Sequence, residues 1–345
     1  MATLKFVPLQ HASSPNSPAS SFAGFTLLLP AVSIGNVGQL ALEALTLTYA
    51  LDKVGYIHDP DVLPVCGADA LAQSEADQCG SLTIALEVFA SAQRKVVIVQ
   101  QRSPVVRAAR GAFCERVLRW AAEQRVQHVM LLSSSRSYLR SDAQLQGSQL
   151  RYLTTANSAS AASALIEAAE KLGIVAWGSD VDTANATMEE ADIESVRMAQ
   201  VLARRISSGG ITNALLATYA GTVGKPAPAD EAKTRGAGTG VSVVSTGGMS
   251  SSAAPAAASA ASSSSATPAP AASAPAAAAQ YPFSLFALIA FSSEGANTTD
   301  GLAMAAAADA VLAAAQGSQP HKGTWSTPLS WEHLFGPPAD SSLYL

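Results

Sequence analysis

Residues 25–42 read FTLLLPAVSIGNVGQLAL, and this stretch decides the fold class. Phe25 to Leu29 is an unbroken apolar run, the pattern of a strand buried on both faces. Pro30 closes it. Residues 33–38 form a small-residue turn with two glycines, Gly35 and Gly38. From Gln39 onward apolar residues recur at helical spacing, with Leu40, Leu42, Ala44 and Leu47 on one broad face. Strand, glycine-containing loop, helix is the opening unit of an α/β domain.

Composition narrows the function classes. The chain has 345 residues, 48% hydrophobic but only 14% charged and 6% aromatic. Its net charge of −5 argues against a nucleic-acid surface or an anionic membrane as partner. Three cysteines, Cys66, Cys79 and Cys114, cannot all pair and do not suggest a disulfide scaffold. Residues 1–21, Ser/Pro-rich from 13 onward, lack the apolar core of a secretory signal and read as a flexible leader. The apolar run at 283–291 is too short to span a bilayer. The expected address is therefore intracellular.

Further strands are expected at 54–57, 82–89, 95–101, 126–132, 150–153 and 285–291. The strands at 82–89 and 95–101 are close enough for a hairpin. Helices are expected at 111–124, 161–172, 211–219 and 301–315, with a solvated acidic segment over 180–194. Residues 250–279 contain only Ala, Ser, Pro and Thr; prolines break any helix there and nothing can bury a core. We read 220–280 as a disordered insertion into a single α/β domain, residues 22–219 plus 281–338. That domain has a central mixed β-sheet with helices on both faces. Trp325, Trp331, Leu334 and Phe335 supply aromatic and apolar area to dock the C-terminal stretch, and residues 339–345 read as a mobile tail.

Chemistry is sparse. Gly35-Asn36-Val37-Gly38 is only G-x-x-G, without the third glycine of a dinucleotide fingerprint or the Gly-Lys-Ser/Thr of a P-loop. Backbone N–H groups could hold an anion there, but a tight turn for close helix packing is the plainer reading. Ser133-Ser134-Ser135 follows a strand, where α/β enzymes place catalytic groups, yet no glycine elbow flanks it. None of His11, His58, His128, His321 and His333 stands in a triad context. A hydrolase or nucleoside/phosphate-binding enzyme using Gly35–Gly38 and Ser133–Ser135 is the alternative reading. Cys66 and Cys79 lack zinc spacing, so no metal and no cofactor is expected. Two sequons, at Asn185 and Asn297, should stay unmodified without a secretory signal. The most pointed feature is Leu343-Tyr344-Leu345: one aliphatic group, one amphipathic ring and a carboxylate, the parts needed to enter a pocket carrying a lysine.

Several blocks resemble a known family. GFTLLLPAVSIGNVGQLA (24–41), RKVVIVQQRSPVV (94–106), FCERVLRWA (113–121), LLSSSRSYLRSDAQL (131–145), Arg151-Tyr152-Leu153, SGGITNALL (208–216), SSEGANTTDGLAMA (292–305) and WSTPLSWEHLFG (325–336) stand in the order of the proteasome assembly chaperone 2 family. The block at 131–145 is the most specific. The resemblance implies a non-enzymatic α/β chaperone of the cytoplasm, with the nucleus as a second compartment. It implies pairing with proteasome assembly chaperone 1 and binding to the proteasome α-subunit ring. It further implies that the pair promotes ring formation and prevents ring dimers. In some members a C-terminal hydrophobic-Tyr-X tail docks between α subunits, and Leu343, Tyr344 and Leu345 match that pattern. The Ala/Ser/Pro insertion is a departure from the family.

Overall fold

Leu27 and Leu29 point to one side of a central sheet and Leu28 to the other, and all three are buried. In the computed structural model the described residues are 3–9, 21–78, 81–140, 142–145, 147–154, 162–177, 206, 210–220 and 281–333. The strands are β1 (Lys5–Pro8), β2 (Thr26–Pro30), β3 (Asp52–His58), β4 (Cys66–Ala68), β5 (Leu82–Ile84), β6 (Leu86–Ser91), β7 (Val96–Gln101), β8 (His128–Arg136), β9 (Leu150–Thr154), β10 (Val175–Ala176) and β11 (Ser284–Ser292). The helices are α1 (Val37–Thr48), α2 (Arg110–Glu123), α3 (Ser163–Lys171), α4 (Gly210–Tyr219) and α5 (Thr298–Ala315).

Nine strands form one mixed sheet in the order β1-β3-β6-β7-β2-β8-β11-β9-β10, and β4 pairs with β5 apart from it. Its centre, β7-β2-β8-β11, is parallel. The β1, β3, β6 side and the β11–β9 pair are antiparallel. One face packs on α2 and α4 through Phe113, Val117, Leu118, Ile211 and Leu215. The other packs on α1, α3 and α5 through Leu42, Leu45, Leu165, Met304 and Val311. Because strand side chains alternate, each central strand feeds both cores, which is why these runs carry no polar position. Each fully buried aliphatic side chain contributes roughly 1.5–3 kcal/mol of transfer free energy. The fold class read from the sequence holds, with helices on both faces of a mixed sheet.

Three expectations need correction. The leader is not structureless throughout: Lys5–Pro8 pairs antiparallel with β3, and Phe6 packs near Phe22 and Trp120. The strand expected at 82–89 is two strands that break at Ala85, whose carbonyl accepts from the Arg102 amide. The strand expected to end at Leu132 runs on to Arg136, because Ser133–Ser135 pair with Ile289–Phe291 of β11. The insertion at 220–280 and the tail at 339–345 lie outside the described residues.

Gly38 sits where α1 crosses β8. A Cβ there would stand 2.4 Å from the Leu132 carbonyl oxygen. Gly35 takes a left-handed φ of 64°, and a Cβ on it would meet the Asn297 side chain at 2.2 Å. Gly111 in α2 has open space around the same position. Gly111→Ala is therefore expected to raise unfolding free energy by about 0.5 kcal/mol, through lower unfolded-state entropy, in a urea titration. A loss of stability would mean that α2 needs the glycine.

Candidate functional site

The carboxyl ends of β2, β8 and β11 are where an α/β sheet usually opens a crevice for ligands. Here protein groups fill it. The Ser134 amide donates to Ser33 Oγ at 3.0 Å, and the Ser134 hydroxyl donates to the Ile34 carbonyl. Ser33 Oγ donates in turn to the Ala31 carbonyl at 3.0 Å. Ser133 Oγ lies 2.7 Å from Thr212 Oγ1 on α4. Asn297 packs against Gly35 and donates to the Gly295 carbonyl at 2.7 Å, while Ser292 Oγ stands 2.8 Å from both Asn297 Oδ1 and Asp300 Oδ2. Ser133 to Ser135 are all buried, so none is placed to attack a substrate. Their hydroxyls satisfy backbone and neighbouring side chains across the layers.

The histidines do not complete a triad. His128 lies at the amino end of β8, with Nδ1 2.6 Å from Ser284 Oγ, and burial lowers its pKa. His321 belongs to the C-terminal segment, where its ring stands over Trp325. His11 lies outside the described residues. Cys114 is buried, which pushes its thiol up to about 12 and keeps it protonated. Cys66 is exposed, and Cys79 lies outside the described residues. Among the described residues no group of three or more His, Cys, Asp or Glu could hold a metal ion. Asn297, one of the two sequon asparagines, is buried and hydrogen-bonded; Asn185 lies outside the described residues.

Two ionic clusters lie inside the molecule. Arg102, just past β7, bridges Glu43 of α1 and Glu87 of β6, and Lys53 of β3 reaches the other Glu87 oxygen at 2.8 Å. Gln39 and Gln100 also donate to Glu43 Oε1, at 3.3 and 3.4 Å. Two carboxylates and two cations balance, and this arrangement ties three elements together rather than leaving a poised acid or base. The second cluster fixes α2 to the turn after β3: the Arg116 guanidinium donates to both Asp59 oxygens at 2.6 and 2.7 Å, and to Asp61 at 2.6 Å.

A strap of chain from His321 to His333 closes over the first cluster. Its His321 amide donates to Asp309 Oδ2 at 2.6 Å, and the Ser326 amide donates to Thr48 Oγ1 at 3.0 Å. The Leu329 amide and the Ser330 hydroxyl donate to the carbonyls of Ala72 and Ala70, both at 2.9 Å. Buried Trp331 then donates its indole N–H to Glu43 Oε2 at 2.7 Å. Beneath the strap, Arg94 stacks 3.3 Å over the Tyr49 ring, and burial with the Asp309 carboxylate holds the Tyr49 hydroxyl well above its usual range.

The surface carries two other features. An apolar groove of about 590 Å³ runs beside the β1 edge, lined in part by Val7, Ile57, Val62, Pro64, Val65 and Ile84. Val7 and Val65 are exposed in it, and Leu63 is exposed beside it. At the other feature, Tyr138 projects from the β8–β9 connection with 72% of its surface exposed.

The profile described as the PAC2 family matches residues 27–220, more than half of the chain. The chain belongs to the PAC2 family. This PAC2-family chain is 47% identical over 139 residues to Proteasome assembly chaperone 2 of Nematostella vectensis. It is 41% identical over 137 residues to the human protein of that name. Each alignment covers 40% of this chain, and 57% and 52% of the respective relative. The matched part thus spans about half the length of the curated relatives. Among solved structures, Pyrococcus furiosus PbaA, titled an archaeal homolog of proteasome-assembly chaperone, superposes with a TM-score of 0.44. Its identity is 11%, over 92% of this chain and 88% of that one.

Of the residues singled out in the sequence, Gly35, Gly38 and Ser133–Ser135 do come together in this PAC2-family chain, but as packing and hydrogen-bonding partners. Leu343, Tyr344 and Leu345 lie outside the described residues. The Glu43–Arg102–Glu87 cluster escaped sequence reasoning. Its only local sign was a glutamate on the apolar face of α1, between Leu42 and Ala44.

Proposed function

We propose that this chain is a proteasome assembly chaperone working through protein surfaces rather than an active site. The observation that carries the reading is its 36–47% identity to relatives named Proteasome assembly chaperone 2. In this reading it pairs with proteasome assembly chaperone 1, and the pair binds the α-subunit ring, promotes its formation and prevents ring dimers. It acts in the cytoplasm and the nucleus. The apolar groove beside β1 supports a lasting partner, because durable interfaces are the more hydrophobic ones. Among the described residues no helix is long and apolar enough to cross a membrane.

The folded body supplies most of the ring contact, and Leu343, Tyr344 and Leu345 dock in a pocket between α subunits as a second point of attachment. A two-point attachment gains through effective concentration, so loss of the smaller point is felt strongly. Deleting Leu343–Leu345, or adding one residue after Leu345, is expected to weaken retention on immobilised α-ring intermediates about tenfold. Retention equal to that of the intact chain removes the tail from the mechanism. Retention of neither form removes the assembly-chaperone reading.

A further inference from the structure

The sequence block at 131–145 divides in two in the structure. Its first half is β8, buried in the sheet, and its second half is the exposed connection to β9. Tyr138 stands at the tip of that connection in a short 3-10 turn, Ser137–Leu139. Arg136 Nη1 donates to the Tyr138 hydroxyl at 3.0 Å, and the Arg136 guanidinium lies 5.8 Å from the ring centroid. Arg140 Nε donates to the Ser137 carbonyl at 3.0 Å, and its Nη1 donates to Gln149 Oε1. Ser137 Oγ stands 2.8 Å from Ser293 Oγ on the loop after β11, so the turn is held from a second element. The Arg140 guanidinium also lies 5.7 Å from the Phe291 ring.

An exposed tyrosine held this way has already lost much of the rotamer freedom that a docking side chain gives up. Tyrosine and arginine are the residue types enriched among side chains that dominate binding energy. The hydrogen bonds of both guanidiniums go to uncharged groups, so the patch presents positive charge on a chain whose net charge is −5. Glu294, beside Ser293, is exposed on the neighbouring loop and sets one limit to that field. Leu145, 52% exposed, adds an apolar neighbour on the same connection.

We infer that Arg136, Tyr138 and Arg140 form a contact point for a carboxylate-bearing surface of the proteasome α-subunit ring. The inference rests on the assembly-chaperone reading and adds the surface. The ring contact has to be released when assembly is complete, whereas the partner chaperone stays. Releasable interfaces are more polar and are steered by charge, as this patch is, while the groove beside β1 has the apolar character of a lasting contact.

The test uses the full chain co-expressed with its partner chaperone and immobilised α-ring intermediates at low and high salt. Tyr138→Ala is expected to weaken ring binding about tenfold, with thermal stability and yield of the chaperone pair unchanged. Arg136→Glu is expected to weaken binding at low salt and to flatten its salt dependence. Undiminished binding by both variants, with the tail deletion still weakening it, overturns the contact point and leaves the assembly reading standing. Loss of the chaperone pair instead of the ring contact assigns the patch to the partner and also overturns it. No ring binding by the intact chain overturns the assembly reading, and the contact point with it.

Discussion

Glu87→Ala is expected to lower the free energy of unfolding by about 3–5 kcal/mol, the cost of removing one partner from a buried ion pair. Glu87 is fully buried on β6 and holds Arg102 at 3.3 Å on one oxygen and Lys53 at 2.8 Å on the other. Without it, Arg102, whose side chain is only 8% exposed, keeps Glu43 alone, and Lys53 loses its carboxylate. Lys53 is 23% exposed and can turn toward water, so most of the penalty falls on Arg102. The same variant loosens the strap, because Glu43 also receives the Trp331 indole. Urea unfolding followed by tryptophan fluorescence reads the change. A loss below about 1 kcal/mol would place these charges in water and end the account of a buried cluster. The exposed helical pairs Glu115–Arg119 and Glu167–Lys171 serve as controls, since screened surface pairs contribute little.

Gly38→Val is expected to cost about 3 kcal/mol or more, at the top of the range for overpacking a close contact. The added Cβ would stand 2.4 Å from the carbonyl oxygen and 3.0 Å from the carbonyl carbon of Leu132, both backbone atoms of a central strand. Neither can swing aside as a side chain would, so α1 must lift off β8. On its other side α1 is pressed by α5, where a Cβ on Gly301 would meet Leu40 Cβ at 2.6 Å. The helix therefore has no room to retreat. If Gly38 served an exposed loop, the variant would unfold like the parent in the same titration. A ligand role would show instead as lost binding without lost stability.

The stretch at 25–42 was legible because its signals are local. An apolar run, a proline, two glycines and a helical repeat are readable within eighteen residues, and each reports on its own backbone. Ser133–Ser135 misled for a related reason. Hydroxyl-rich sequence normally means loop, because a strand must bury its side chains among apolar ones. Here the hydroxyls find partners on Ser33 and Thr212, 101 and 79 residues away in the chain. Nothing near the serines announces those partners.

By itself, the sequence determined the α/β class, the buried central strands, most helices and the family. These follow from periodicities of two and 3.6 residues and from blocks that keep their order. Only the tertiary structure decided that the serines are interior, that Gly38 serves packing, and that Lys5–Pro8 extends the sheet. It alone joined Glu43 to Trp331 across 288 residues and set Tyr138 upright against Arg136. The physical reason is range. Hydrophobic patterning acts through each residue's own burial, whereas a hydrogen bond or an ion pair exists only once two distant segments have been brought together.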